Sequence, residues 1–117
     1  MNKATIRALD KKMNRLTALV NDSGEFSRAI KMLESAAKTL EKRDYKGFDD
    51  AKKIIQSAIS EIERHQNAVG YNFAKTVTNQ LNAMLRLMQN PRAFERQIQF
   101  AHSIQAYAIP GLNRANK

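Results

Sequence analysis

Apolar residues recur at three- and four-residue steps along most of the chain, and this spacing places them on one face of an α-helix. The first such stripe consists of Ile6, Leu9, Met13, Leu16 and Val20. The residues Asn21 to Gly24 interrupt it, and Asp22 with Glu25 three residues later has the form of a capping box. We therefore predict one helix before residue 21 and a second helix that begins near Glu25.

The next two stripes predict a helical hairpin. The inward positions of the second helix are Phe26, Ile30, Leu33, Ala37 and Leu40. This helix is expected to run to about Lys42, and residues 43–47 are expected to form the turn. The inward positions of the third helix are Phe48, Ala51, Ile55, Ala58 and Ile62, with Ile54 and Ile59 widening the stripe.

Residues 67–72 admit two interpretations. The helical phase continues across them through Val69, Phe73, Val77, Leu81, Met84 and Met88. Gly70, however, costs about 1 kcal/mol relative to Ala inside a helix. Either a new helix begins near Tyr71 or one long helix bends there. We favour the break, because an unbroken helix over residues 48–89 would be too long for a single domain of 117 residues.

The clearest boundary is Asn90-Pro91, because Asn suits the N-cap and Pro suits the first position of a helix. The stripe of the last helix consists of Phe94, Ile98, Ala101, Ile104 and Ala108. Pro110 and Gly111 are predicted to end this helix, and residues 112–117 are predicted to be a flexible tail.

The pattern as a whole predicts an all-α fold: a single-domain antiparallel helical bundle of four to five helices over residues 1–111. Runs of alternating apolar and polar residues, which would indicate strands, are missing from the sequence. The loops between the predicted helices are too short to separate two domains.

The net charge of +9 is unevenly distributed. Residues 1–21 carry five Lys/Arg and one acid, residues 22–66 carry nine of each, and residues 67–117 carry six Lys/Arg and one acid, Glu95. The three segments therefore contribute +4, 0 and +5 to the net charge. Segregated positive charge attracts anionic partners, such as nucleic acid, acidic protein surfaces or anionic lipid.

The chain contains no cysteine, which excludes disulfides and thiolate chemistry. Its first residues lack the apolar run of a secretory signal, and no stretch has the roughly eighteen apolar residues of a transmembrane helix. We expect a cytoplasmic protein, of bacterial or phage type.

Candidate chemistry is sparse. His65 follows Glu61 by one helical turn, but one His and one Glu do not make a metal site of three or four ligands. His102 has no acidic neighbour in the sequence, and the glycines and serines fall in no phosphate-binding or nucleophile motif. We predict no enzymatic activity, no metal and no cofactor, unless distant residues assemble a site in space.

Three groups of polar residues are candidates for partner binding. The first repeats every four residues opposite the apolar stripe of the first helix and consists of Lys3, Arg7, Lys11 and Arg15. The second combines cations and amides on the fourth helix: Lys75, Asn79, Asn82 and Arg86. The third adds two aromatic residues to two arginines, as in the anchors of protein interfaces: Arg92, Arg96, Phe100 and Tyr107.

These features predict a non-enzymatic interaction protein, such as a regulator, inhibitor or immunity-type adaptor, that docks an acidic protein surface or a ribonucleoprotein. The alternative is a nucleic-acid-binding protein that contacts phosphates through the first helix and the face from Lys75 to Arg86. A bundle that packs its two ends side by side would have one broad basic surface, and otherwise it would have two smaller ones.

Overall fold

The computed structural model describes residues 24–116 of the chain. In this range the chain forms helices and no strand, which confirms the predicted all-α fold. Three long helices are followed by a 3-10 helix and a last helix built of three consecutive pieces. The elements are α1 (Ser27–Glu41), α2 (Tyr45–Arg64), α3 (Tyr71–Met88), the 3-10 helix Pro91–Arg96, α4 (Gln97–Ser103), a π-helical turn (Ile104–Ala108) and α5 (Ile109–Ala115).

The helices form an antiparallel bundle in which neighbours in sequence are neighbours in space. Helix α1 packs along α2, and α2 packs on α3. The last helix, which comprises α4, the π-helical turn and α5, then contacts both α3 and α1. This closed order of four helices joined by short loops is the up-down-up-down arrangement of a four-helix bundle.

The hairpin of α1 and α2 buries the residues that its sequence pattern predicted. All ten inward positions are buried, and Ile55 and Ile62 of α2 are fully enclosed. Helix α2 begins at Tyr45, inside the predicted turn over residues 43–47, because the Asp44 carboxylate accepts a hydrogen bond from the backbone N–H of Gly47. The predicted turn was therefore too long by about three residues.

A break separates α2 from α3, as the sequence favoured, and Gly70 lies at its end. A Cβ atom on Gly70 would lie 1.8 Å from the carbonyl oxygen of Ala115 at the end of the last helix. Ala74, one turn further along, is fully buried. Val69 and Phe73, which continue the helical phase in the sequence, do not join the core, since both are exposed.

The 3-10 helix changes which residues of the C-terminal segment face the core. The Asn90 side chain accepts a hydrogen bond from the backbone N–H of Arg92 at 3.0 Å, which confirms Asn90 as an N-cap. Because a 3-10 helix has about three residues per turn, the α-helical phase does not continue through it. Phe94 stacks on Tyr45 with ring centroids 3.8 Å apart, and Ile98, which was predicted to be buried, is exposed.

Pro110 does not end the last helix, and the predicted flexible tail from residue 112 was also wrong. A proline inside a helix lacks the N–H for one backbone hydrogen bond, and here a π-helical turn ends two residues before Pro110. The helix continues to Ala115 and buries Leu112 completely. The Asn116 side chain then accepts a hydrogen bond of 2.8 Å from the backbone N–H of Phe26.

We expect Gly70→Ala to destabilise the protein by about 2 kcal/mol or more. The added methyl group would overlap the backbone of Ala115, and overpacking of this kind typically costs about 1–3 kcal/mol. Urea unfolding followed by circular dichroism measures the difference in the free energy of unfolding.

The matched control for this variant is Asn72→Ala, which changes an exposed residue at the start of the same helix. Its effect should stay within about 0.5 kcal/mol. A Gly70→Ala protein as stable as the wild type would contradict the close packing of α3 on the last helix.

Candidate functional site

Helix α3 presents a row of cations and amides to solvent. Lys75, Asn79, Asn82 and Arg86 are all exposed, as the sequence predicted. Their spacing of four, three and four residues places them on one face of the helix, along the side opposite the buried Leu81. This face combines the two side-chain types that contact phosphate oxygens, carboxylates and base edges.

Further arginines lie on the elements that follow α3. Arg92 and Arg96 are exposed in the 3-10 helix, in agreement with their predicted role as surface residues. Arg114 is exposed on α5, although the sequence pattern had assigned it to a tail. Within residues 24–116, none of the five Lys/Arg side chains that follow residue 70 forms an ion pair.

The two halves of the described chain therefore differ in their electrostatics. Residues 24–66 carry nine Lys/Arg and eight Asp/Glu, a net charge of +1, and they contain ion pairs such as Lys52–Asp49 at 3.2 Å. Residues 71–116 carry five Lys/Arg and a single acid, Glu95, a net charge of +4. The positive potential of the described bundle is thus concentrated on the side formed by α3, the 3-10 helix and the last helix.

The two predicted aromatic anchors have different environments. Tyr107 is 65% exposed, as an anchor requires, whereas Phe100 is only 7% exposed and belongs to the core. The assignment of Phe100 as an exposed contact is therefore wrong. The buried face of α4 is centred on Gln97, Phe100, Ala101 and Ile104, so it includes Phe100 and leaves Ile98 outside.

The basic side also carries apolar residues that the sequence reading missed. Phe73 is 67% exposed and Leu87 is 55% exposed, and both lie on α3 beside a groove that separates it from the last helix. Tyr107 projects into this groove from the last helix. A signal was present in the sequence: residues 73, 77, 80, 84 and 87 form a second series with steps of four and three.

The first four candidate residues, Lys3, Arg7, Lys11 and Arg15, lie outside the described residues, as does Asp22 of the predicted capping box. Phe26 is the N-cap of α1, and no side chain caps it. Glu25, the second member of the predicted capping box, instead contacts His65.

His65 links the start of α1 to the end of α2. Its Nδ1 atom lies 2.8 Å from a carboxylate oxygen of Glu25, and its Nε2 atom lies 3.3 Å from one of Glu61. Glu61 is buried and also contacts Arg64 at 3.4 Å, and the imidazole ring packs edge-on against Phe26. Because the two ring nitrogens face different carboxylates, this cluster ties two helices together and does not converge on one point.

The described part of the chain contains no group of three or more His, Cys, Asp or Glu residues that is arranged to hold a metal ion. None of its helices is both long enough and apolar enough to cross a membrane. Comparison of the chain with protein-family models, curated proteins and solved structures finds no match. The site therefore has to be interpreted from its own geometry.

We expect His65→Ala to destabilise the protein by about 1–3 kcal/mol, measured as the free energy of unfolding in urea. The substitution removes the contacts of the two ring nitrogens with the carboxylates of Glu25 and Glu61, and it leaves the buried Glu61 with Arg64 as its remaining partner. His65→Gln, which keeps an amide near the same positions, should recover part of the loss.

His102→Ala is the control, since His102 is exposed and makes no hydrogen bond or ion pair with another described residue. Its effect should be within about 0.5 kcal/mol. Equal effects at the two histidines would show that the contacts of His65 do not contribute to stability.

Proposed function

We propose that this protein is a non-enzymatic interaction protein that docks an acidic protein surface, alone or within a ribonucleoprotein, through the basic side of its bundle. The observation that carries the proposal is the set of exposed cations without ion pairs on α3, the 3-10 helix and the last helix. Unpaired surface cations raise the rate of encounter with an acidic partner, and they disfavour binding of basic proteins because like charges repel.

Exposed apolar side chains on the helices that carry these cations support a protein partner. Phe73, Leu87 and Tyr107 are more than half exposed and line a groove between α3 and the last helix, which Arg114 also lines. Cations steer the approach of a partner, whereas buried aromatic and aliphatic side chains supply most of the binding energy. A small bundle with this surface would serve as a regulator, inhibitor or immunity-type adaptor in the cytoplasm, and this assignment rests on analogy of form.

One observation favours direct binding of nucleic acid as the second candidate function. Asn79 and Asn82 lie between Lys75 and Arg86 on one exposed face, and cations interspersed with amides are suited to phosphates and base edges. In this alternative the four cations predicted on the first helix would extend the phosphate-binding surface.

The charge-reversal variant Lys75→Glu/Arg86→Glu tests the main proposal. We expect it to weaken binding of the native partner, recovered by pull-down from the host with nuclease present, by at least about tenfold in Kd. The control Lys38→Glu/Lys53→Glu makes the same change of charge on two exposed residues of α1 and α2 and should bind nearly normally. Equal binding by both variants would contradict a role for the α3 face.

Sensitivity to nuclease and salt separates the two functions. If phosphates are the ligand, nuclease should release the partner, and affinity should fall by orders of magnitude between about 50 and about 200 mM salt when six or more phosphates are contacted. A protein interface anchored on apolar residues should survive nuclease and lose much less affinity over the same range.

A further inference from the structure

An apolar groove runs between α3 and the last helix on the basic side of the bundle. At one end it is lined by Phe73, Val77 and Pro110, and at the other end by Met84, Leu87 and Phe100. Gln80 and Tyr107 line both parts, so the two parts are continuous. Three of its large side chains are more than half exposed, which is costly for a surface that stays in contact with water.

The α3 wall of this groove has the spacing of a coiled-coil seam. It consists of Phe73, Val77, Gln80, Met84 and Leu87, with steps of four, three, four and three residues. The series differs from the core stripe of the same helix, whose central member, Leu81, is fully buried. Helix α3 therefore has one apolar face for the core and a second, narrower one at the surface.

The opposite wall has the same spacing. It consists of Phe100, Ser103, Tyr107, Pro110 and Arg114, with steps of three, four, three and four residues. Two rows with heptad spacing, side by side on antiparallel helices, provide the holes that receive the side chains of a further helix. From Phe73 to Leu87 the wall is about 21 Å long, at about 1.5 Å per residue, which accommodates about four turns of helix.

The charges around the groove determine the character of the helix that would fit. Arg114 lines one end, whereas Lys75 and Arg86 line neither part of the groove and lie on another face of α3. No Asp or Glu lines either part of the groove within residues 24–116. A helix with Asp or Glu beside its apolar stripe would meet only cations and neutral groups, whereas Lys or Arg at those positions would be repelled.

We infer that the groove between α3 and the last helix binds an amphipathic helix of a partner protein, with a leucine-type apolar stripe flanked by acidic residues. The inference rests on the proposed function and specifies the partner that it left open. The apolar stripe buries Phe73, Leu87 and Tyr107, and a flanking carboxylate pairs with Arg114. Helix-in-groove recognition of this kind is read through anchors spaced at three and four residues.

The direct test uses the full chain and two designed peptides of about 21 residues, labelled with a fluorophore. Both peptides have leucines at heptad spacing, with Glu at the flanking positions of one and Lys at those of the other. Fluorescence anisotropy at about 150 mM salt measures Kd. The Glu peptide should bind at least about tenfold more tightly than the Lys peptide.

Substitutions in the groove then locate the binding site. Phe73→Ala/Leu87→Ala should raise the Kd of the Glu peptide at least about tenfold, since it removes two exposed anchors and no core residue. The control is Val69→Ala, because Val69 is fully exposed but does not line the groove. The Kd of the Glu peptide for this variant should equal that for the wild type. Arg114→Glu should weaken binding of the Glu peptide and strengthen binding of the Lys peptide. Circular dichroism checks that each variant remains folded.

Several results would overturn the inference. One is a Glu peptide that does not bind, or that binds the Phe73→Ala/Leu87→Ala protein as well as the wild type. Another is a wild-type dimer in sedimentation equilibrium that these two substitutions dissociate, because the occupant would then be a second copy of the chain. A third is tighter peptide binding after Leu9→Asp/Leu16→Asp, since residues 1–23 would then compete for the groove.

The outcome is separable from that of the proposed function. If charge reversal on α3 abolishes capture of the native partner while Phe73→Ala/Leu87→Ala leaves it intact, the groove inference fails and the proposed function stands. If the Glu peptide binds in the groove but nuclease releases the native partner, the groove inference stands and the proposed function fails.

Discussion

The fold depends on the space available to the last helix, which must contact α1 and α3 at the same time. That space comes from residues with little or no side chain: Gly70 lies against the backbone of Ala115, and Gly111 lies against a methyl group of Val77. The hydrogen bond from Phe26 to Asn116 joins the first and last described helices at the same end. The packing of the second half of the bundle on the first is thus determined by how closely the helices approach one another at these small residues, more than by the number of apolar residues.

The hairpin of α1 and α2 could be predicted from the sequence, whereas the C-terminal segment could be predicted only in part. In α1 and α2 a single helical period continues from end to end, so the pattern alone identifies the buried face. After Asn90 the backbone passes through 3-10, α, π and α geometry, and each change of geometry rotates the following residues. Periodicity alone cannot locate these changes. Leu112 was misplaced for a different reason, since Pro110 and Gly111 were expected to end the helix and do not.

The same distinction applies to the candidate site. Its charge could be predicted, because the scarcity of acids after residue 66 is a property of the sequence, and the amphipathic face of Lys75 to Arg86 follows from one regular helix. The groove could not be predicted, since it needs the relative placement of two helices. Phe73 and Leu87 are ordinary core residues by type, yet in the fold Ala74 is buried and Phe73 beside it is exposed.

The π-helical turn at Ile104–Ala108 acts as a one-residue insertion within the last helix, because its backbone hydrogen bonds span five residues instead of four. Ile104, Ala108 and Leu112 are buried at consecutive four-residue steps. In a regular α-helix each such step drifts by about 40° around the axis, and the wider turn offsets this drift. A chain that lost one residue from this turn would regain regular α-helix with Ile104, Ala108 and Leu112 at steps of three and four residues, and the buried faces on its two sides would stay in register. The turn therefore accommodates one residue more than the buried face of the last helix requires.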